Sequence, residues 1–266
     1  MGNRRIGQKR LQAVMENLNR SINMSGSSIN ARVSGCNGQF GAPPLVLDDA
    51  STLADGGDTD TVIHQYSDGL RLHVQNINAQ TLLIPAASTS GMNYSYDQTD
   101  TDGVQWVTSM ETHKGYPGVD RFVVGTSGAF FCEMTFTITD VSGTDDCAFG
   151  FRKVEAMQAL VDNYDEMAAF NCISGDIKTE TIINNATTVT TDTTANWADG
   201  ESHTLRVDVS STGVVTYTLD GGTAITTVAY TFDDGEVVTP FWYFIHDANL
   251  SETLILESFS CGKKGL

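Results

Sequence analysis

The chain has 266 residues, 40% hydrophobic and 18% charged, which is enough apolar material for one large β-sandwich with appendages or for two small domains. Fifteen Lys and Arg stand against 33 Asp and Glu, a formal charge of −18; a surplus of that sign argues against nucleic acid as the main partner, because phosphate binding needs clustered cations. Thr, Ser, Asn and Gly fill the place of charge, as on the surface of an extracellular or particle-exposed β protein.

The charge is unevenly spread along the chain. Residues 1–32 hold Arg4, Arg5, Lys9, Arg10, Arg20 and Arg32 against Glu16 alone, a net of +5, and the remainder carries 9 positive and 32 negative charges, a net of −23. Leu11, Val14, Met15, Leu18 and Ile22 recur at helical spacing, so this segment reads as a helical or extended arm with one apolar stripe. Cations at its N-terminal end oppose the helix dipole, so helix stability does not explain them; an acidic partner does. Ser21 to Phe40 is rich in Ser, Asn and Gly and reads as a linker or irregular arm. Residues 1–44 are therefore expected to be a basic docking arm and linker, and residues 45–266 a β domain. No apolar stretch of secretory length follows the basic start, and the longest apolar run, Phe241 to Ile245, is too short to span a bilayer. No membrane partner is expected.

From about Leu45 the period changes to two. Leu70, Leu72 and Val74 alternate with Arg71, His73 and Gln75, as on a strand with one wet face. Phe130, Cys132, Met134, Phe136 and Ile138 share a face, and Val154 to Val161 is a short helical candidate that connects strands. The Thr-rich stretch Thr187 to Thr194 reads as an exposed strand or loop. Leu205, Val207 and Val209 alternate before the turn Ser210-Ser211-Thr212-Gly213, and Val215, Tyr217 and Leu219 follow it. Asp220-Gly221-Gly222 then turns the chain again, so two adjacent hairpins are expected. Phe241 to Ile245 is apolar on both faces, as in a central covered strand behind Pro240. Many strands with few helices predict an all-β, antiparallel two-sheet sandwich.

The C-terminal third carries an ordered set of features: Asn196-Trp197-Ala198-Asp199-Gly200, His203 to Val209, Gly213, Val214 to Gly221, Pro240-Phe241 and Phe259-Ser260-Cys261-Gly262. This order resembles the concanavalin A-like, or laminin-G-like, jelly-roll sandwich over residues 120–262, with Phe149-Gly150-Phe151-Arg152 as an inner-sheet strand. The resemblance implies fold and says little about function. A second resemblance covers Met1 to Leu11, which is similar to the MGNRRLGRKRL opening of virion proteins of marine bacteriophages that infect cyanobacteria and pelagic bacteria; Ile6 and Gln8 depart from it. It implies a non-enzymatic structural protein of the virion, most concretely a capsid decoration or cement protein. Arg4, Arg5, Lys9 and Arg10 would pair with acidic residues of the major capsid protein or other virion proteins, and Leu11, Val14 and Leu18 would bury apolar surface. A homo-oligomer, with a trimer as the simplest case, fits that role.

No catalytic site, cofactor site or metal site is expected. Hydrolases of the resembled fold place carboxylates along one strand as E-x-D-x-x-E, but here Glu133 is followed by Thr135 and Ile138. Acid-rich turns at Asp55 to Asp60, Asp97 to Asp102 and Asp145-Asp146 lack EF-hand spacing and read as solvated turns. Cys36, Cys132, Cys147, Cys172 and Cys261 show no C-x-x-C spacing and read as reduced, mostly buried thiols. Trp106, Tyr116 and Trp197 stand near turns and are the candidates for stacking on a host surface glycan, against a packing role for each. A carbohydrate-binding module on a tail fibre or spike is therefore the alternative reading.

Overall fold

A computed structural model describes residues 35–39, 45–48, 61–65, 70–77, 86–88, 90–97, 103–109, 121–225, 229–246 and 251–264. The arm residues Arg4, Arg5, Lys9, Arg10, Leu11, Val14 and Leu18, the turns at 55–60 and 98–102, and Tyr116 lie outside the described residues.

The early strands are β1 (Gly35–Gln39), β2 (Leu45–Asp48), β3 (Thr61–Gln65), β4 (Arg71–Ile77), β5 (Ala86–Ala87), β6 (Met92–Asp97), β7 (Gly103–Val107) and β8 (Phe122–Val123). Then come β9 (Phe130–Ile138), β10 (Thr144–Lys153), β11 (Met167–Ile173), β12 (Asp176–Ile182) and β13 (Val189–Asn196). The chain closes with β14 (Ser202–Val209), β15 (Val215–Leu219), β16 (Val237–His246) and β17 (Ser251–Lys263). The smaller sheet runs β15-β14-β9-β17-β6-β5, with β1 also on β17. The larger runs β13-β12-β11-β10-β16-β7-β4-β3-β2, with β8 on β16. Pairings within both sheets are antiparallel. The chain changes sheet repeatedly, and β16 and β17 each end up between strands from much earlier in the chain. That is the connectivity of a jelly-roll sandwich.

The core follows from the period-two pattern. Phe130, Cys132, Met134, Phe136 and Ile138 of β9 point inward with Leu205, Val207 and Val209 of β14, and meet Phe149 and Phe151 of β10 and Trp242 of β16. Trp106 and Phe259 make an edge-to-face contact at 5.2 Å between the sheets. Each such ring contributes about 1.5–3 kcal/mol through burial. Gly150 is dictated by approach: a Cβ there would sit 2.3 Å from the Ala168 carbonyl oxygen on the neighbouring strand. The expected β14–β15 hairpin is present, and Leu219-Asp220-Gly221-Gly222 turns with φ of 51° and 65° at its two central residues. Beyond that turn the chain returns antiparallel along β15 through bridges from Tyr217 to Ile225 and from Val214 to Thr231, with residues 226–228 outside the described residues.

Two expectations are corrected on the outer face of the larger sheet. His73 and Gln75, placed on a wet face, are buried. Residues 154–160 form no helix; they run irregularly into a 3-10 turn at Val161–Asn163 and lie over the sheet. Met157, Val161 and Tyr164 from this cover pack on Ala148, Met167, Ala169, Phe241, Tyr243 and Ile245, forming a second apolar layer. This second layer explains why Phe241 to Ile245 is apolar on both faces. Beneath the cover Tyr164 donates its hydroxyl to Gln105, whose Nε2 donates to Gln75 Oε1 at 3.1 Å and Gln158 O at 2.7 Å.

Candidate functional site: an acidic cleft beside the cover

Where the cover ends, the outer face of the larger sheet opens into a cleft of about 590 Å³. Strand β10 supplies Asp145 and Asp146, β11 Ile173 and β12 Glu180; the cover contributes Leu160, Val161 and Asp162, and residues 186–190 close the far side with Thr187, Thr188 and Thr190. Local geometry places these groups. The β10–β16 register shifts between Thr144 and Asp146, so the Asp145-Asp146 pair is an irregularity within a strand, not a solvated turn as expected. Asn171 stands opposite Ala148 on one side and Lys178 on the other, which sets its amide diagonally between Asp146 and Glu180.

That amide organises the cleft. Its Nδ2 donates to Asp146 Oδ1 at 2.5 Å and to Glu180 Oε2 at 2.8 Å, while its Oδ1 accepts the Cys147 N–H at 2.8 Å. Asn171 is buried, so its orientation is held by three bonds. Thr190 donates its hydroxyl to Glu180 Oε1 at 3.0 Å, and Thr188 donates to Asp162 Oδ1 at 2.5 Å. Burial pushes the Asp146 carboxyl up to about 7 against the Asn171 bond, and the neighbouring charges of Glu180, Asp145 and Asp162 add to the rise. Burial also raises Glu180, with the bonds from Asn171 and Thr190 working in the opposite direction. Four carboxyl groups and three threonines line the cleft with no Lys or Arg among them. Such a wall accepts hydrogen bonds from hydroxyl or ammonium groups and repels anions, and Leu160, 54% exposed at its edge, adds an apolar shelf.

The two described aromatic candidates lie elsewhere. Trp106 is 0% exposed and Trp197 2% exposed. Trp197 packs on Phe136 at 4.6 Å and donates its ring N–H to Glu201 O at 2.9 Å. Neither ring offers a face for stacking, so their use is packing. The sequence had singled out Asp145-Asp146 as an acid-rich turn and Thr190 only within an exposed Thr-rich stretch, but not Asn171 or Glu180. Their only sequence mark is a polar residue on a strand, and many surface positions share it.

No family model and no curated protein sequence matches the chain. Solved structures with partial similarity include the Emp47p carbohydrate recognition domain, 12% identical with a TM-score of 0.48, over 71% of this chain and 88% of that one. The potassium-bound Emp46p carbohydrate recognition domain is 9% identical with a TM-score of 0.47, over 73% and 89%. The botulinum neurotoxin serotype D binding domain is 10% identical with a TM-score of 0.42, over 86% of this chain, which spans 50% of that one. Likeness at this level says nothing about what the cleft binds.

Proposed function

We propose that the protein is a non-enzymatic binding protein whose sandwich recognises a polyhydroxylated ligand, a surface glycan, in the cleft between the cover and β13. The observation that carries this reading is the amide-bridged pair Asp146 and Glu180 in an open cleft with hydroxyls and an apolar shelf but no cation. Planar acceptors held at fixed spacing suit adjacent sugar hydroxyls, and the shelf suits a ring's C–H face. A glycan array on the whole chain, followed by calorimetry on the hits, tests this. Glu180→Gln and Thr190→Ala are each expected to weaken a hit about tenfold or more, the loss of one charge-assisted hydrogen bond. Unchanged affinity in both variants, or release of reducing ends from the hit glycan, would count against the reading.

A second reading concerns the other end of the chain and is compatible with the first. The inversion from +5 over residues 1–32 to −23 over the rest supports a docking role for the arm on an acidic particle surface. The opening Met1 to Leu11, with its similarity to marine phage virion proteins, points to a virion as that particle and to decoration of its shell as the task. Deleting residues 1–30 is expected to leave a folded sandwich that no longer sediments with particles. Co-sedimentation of the truncated chain at wild-type level would remove this reading and leave the cleft untouched.

A further inference from the structure

Four buried thiols form two pairs in direct cross-strand register: Cys132 of β9 opposite Cys261 of β17, and Cys147 of β10 opposite Cys172 of β11. In an antiparallel ladder, opposite residues alternate between hydrogen-bonded pairs with Cα atoms about 5.5 Å apart and non-hydrogen-bonded pairs about 4.5 Å apart, whose side chains are closer. Individual ladder bonds decide which kind each pair is. The Lys264 N–H donates to Ala129 O at 2.7 Å, so counting in steps of two puts Phe131 and Gly262 in a hydrogen-bonded pair. Cys132 and Cys261 therefore occupy a non-hydrogen-bonded position.

The ladder on the other side of β9 agrees. The Asp220 N–H donates to Thr204 O at 2.8 Å, which turns Thr204, Arg206 and Asp208 toward β15 and leaves Val207 to bond Cys132. The backbone groups of Cys132 thus face β14, not β17. For the other pair, the Lys153 N–H donates to Glu166 O at 2.9 Å, and the same counting turns the backbone groups of Cys147 and Cys172 toward each other at the wider spacing, where the Cys147 N–H is taken by Asn171 Oδ1. A disulfide needs Cα atoms 4.4–6.8 Å apart and Cβ atoms near 3.8 Å. The Cys132–Cys261 position asks for a closing movement of about 1 Å or less.

We propose that Cys132 and Cys261 are a redox-closable pair, reduced as the chain is made and joined in oxidising surroundings into a disulfide that staples the last strand to the centre of the smaller sheet. The oxidant is a low-molecular-weight disulfide. The two protein thiols give up two protons and two electrons, one S–S bond forms between them, the oxidant's S–S bond breaks, and two small thiols leave. Both sulfurs are buried, and burial pushes the Cys132 thiol further up, so the pair is inert while β17 is seated. Closure takes place when β17 opens or before it docks. Cys36 of β1 stands opposite Cys261 on its other side, in what the alternation makes a hydrogen-bonded position, and is the competing partner.

The test is to refold the full chain in oxidised glutathione, block remaining thiols, digest without reductant and map linked peptides by mass spectrometry. The expected product joins the peptides of Cys132 and Cys261. The oxidised protein is expected to melt roughly 5–10 °C above the same protein in reductant, because the bond closes a loop of more than 100 residues. Cys132→Ala should abolish the linked peptide and the redox-dependent difference in melting, whatever its own stability. A dominant Cys36–Cys261 or Cys147–Cys172 link, or an unlinked chain after oxidative refolding, would overturn the proposal; the wild-type map decides this even if the variant does not fold.

Discussion

Asn171 is the residue on which the cleft turns, since one buried side chain bonds two carboxyls and a backbone N–H. Asn171→Leu removes all three bonds and leaves Asp146 and Glu180 to repel each other, with an expected cost of about 1–3 kcal/mol in urea denaturation and loss of any glycan hit. Asp146 also gives ligand binding a pH signature. Its carboxyl ionises near 7, so as an acceptor it strengthens as pH rises through that value, and affinity measured between pH 6 and 8 should climb. The same raised value acts on folding with the opposite sign: the folded state holds that proton more tightly than the unfolded state, so this group's contribution falls as pH rises toward 7.

The cover over residues 154–164 is the element that departs most from the sequence expectation. It forms no α-helix, and several of its polar groups bond to the sheet instead: Gln158 O accepts from Gln105, Ala159 O accepts the Tyr243 hydroxyl at 2.7 Å, and Tyr164 donates to Gln105. Tyr164→Phe keeps the ring under its apolar neighbours but leaves Gln105 and the Gln158 N–H short of a partner. The expected destabilisation is about 1–3 kcal/mol by chemical denaturation. Faster amide exchange across the cover should accompany it while β9 and β14 keep their protection. Strand β13 shows the reverse case. Its Thr-rich run was expected to be an exposed strand or loop, and it is an edge strand with alternating exposed residues, broken by a register shift near Thr193 and a φ of 66° at Thr194. A bulge of that kind blunts an open edge against pairing with another chain.

For the whole molecule, a histidine in the core contributes a loss of stability on the acid side. His64 is 0% exposed, its Nδ1 lies 3.4 Å from the Tyr94 hydroxyl, and burial lowers its pKa from 6.5 to about 4. The folded state therefore favours the neutral ring. Between pH 6.5 and about 4 the unfolded chain takes up a proton that the folded chain refuses, so stability falls as pH drops through that window, by up to about 3 kcal/mol at its lower end. Glu166, raised to about 7 by burial and the nearby Glu236 and Asp233, works the other way over the same range. Urea titrations at pH 7 and pH 4.5 should show His64→Leu losing less stability on acidification than the wild type. An equal loss in both proteins would remove His64 from the account.

Several strand faces, one tight turn and the fold class were legible in the sequence because they depend on local physics. Alternation of Phe130 to Ile138 and Leu205 to Val209 sets which face is buried, Asp220-Gly221-Gly222 sets a turn, and the apolar run Phe241 to Ile245 requires cover on both sides. The charge inversion at residues 1–32 is likewise a property of the sequence alone. What that cover is made of, and which polar residues meet, was decided by tertiary structure. Gln75, Gln105 and Tyr164 come from three distant stretches, and so do Asp162, Thr190 and the β10–β12 residues of the cleft. Their outward-facing positions look alike in one dimension; only packing one irregular segment onto part of a sheet separates those it buries from those it leaves open to a ligand.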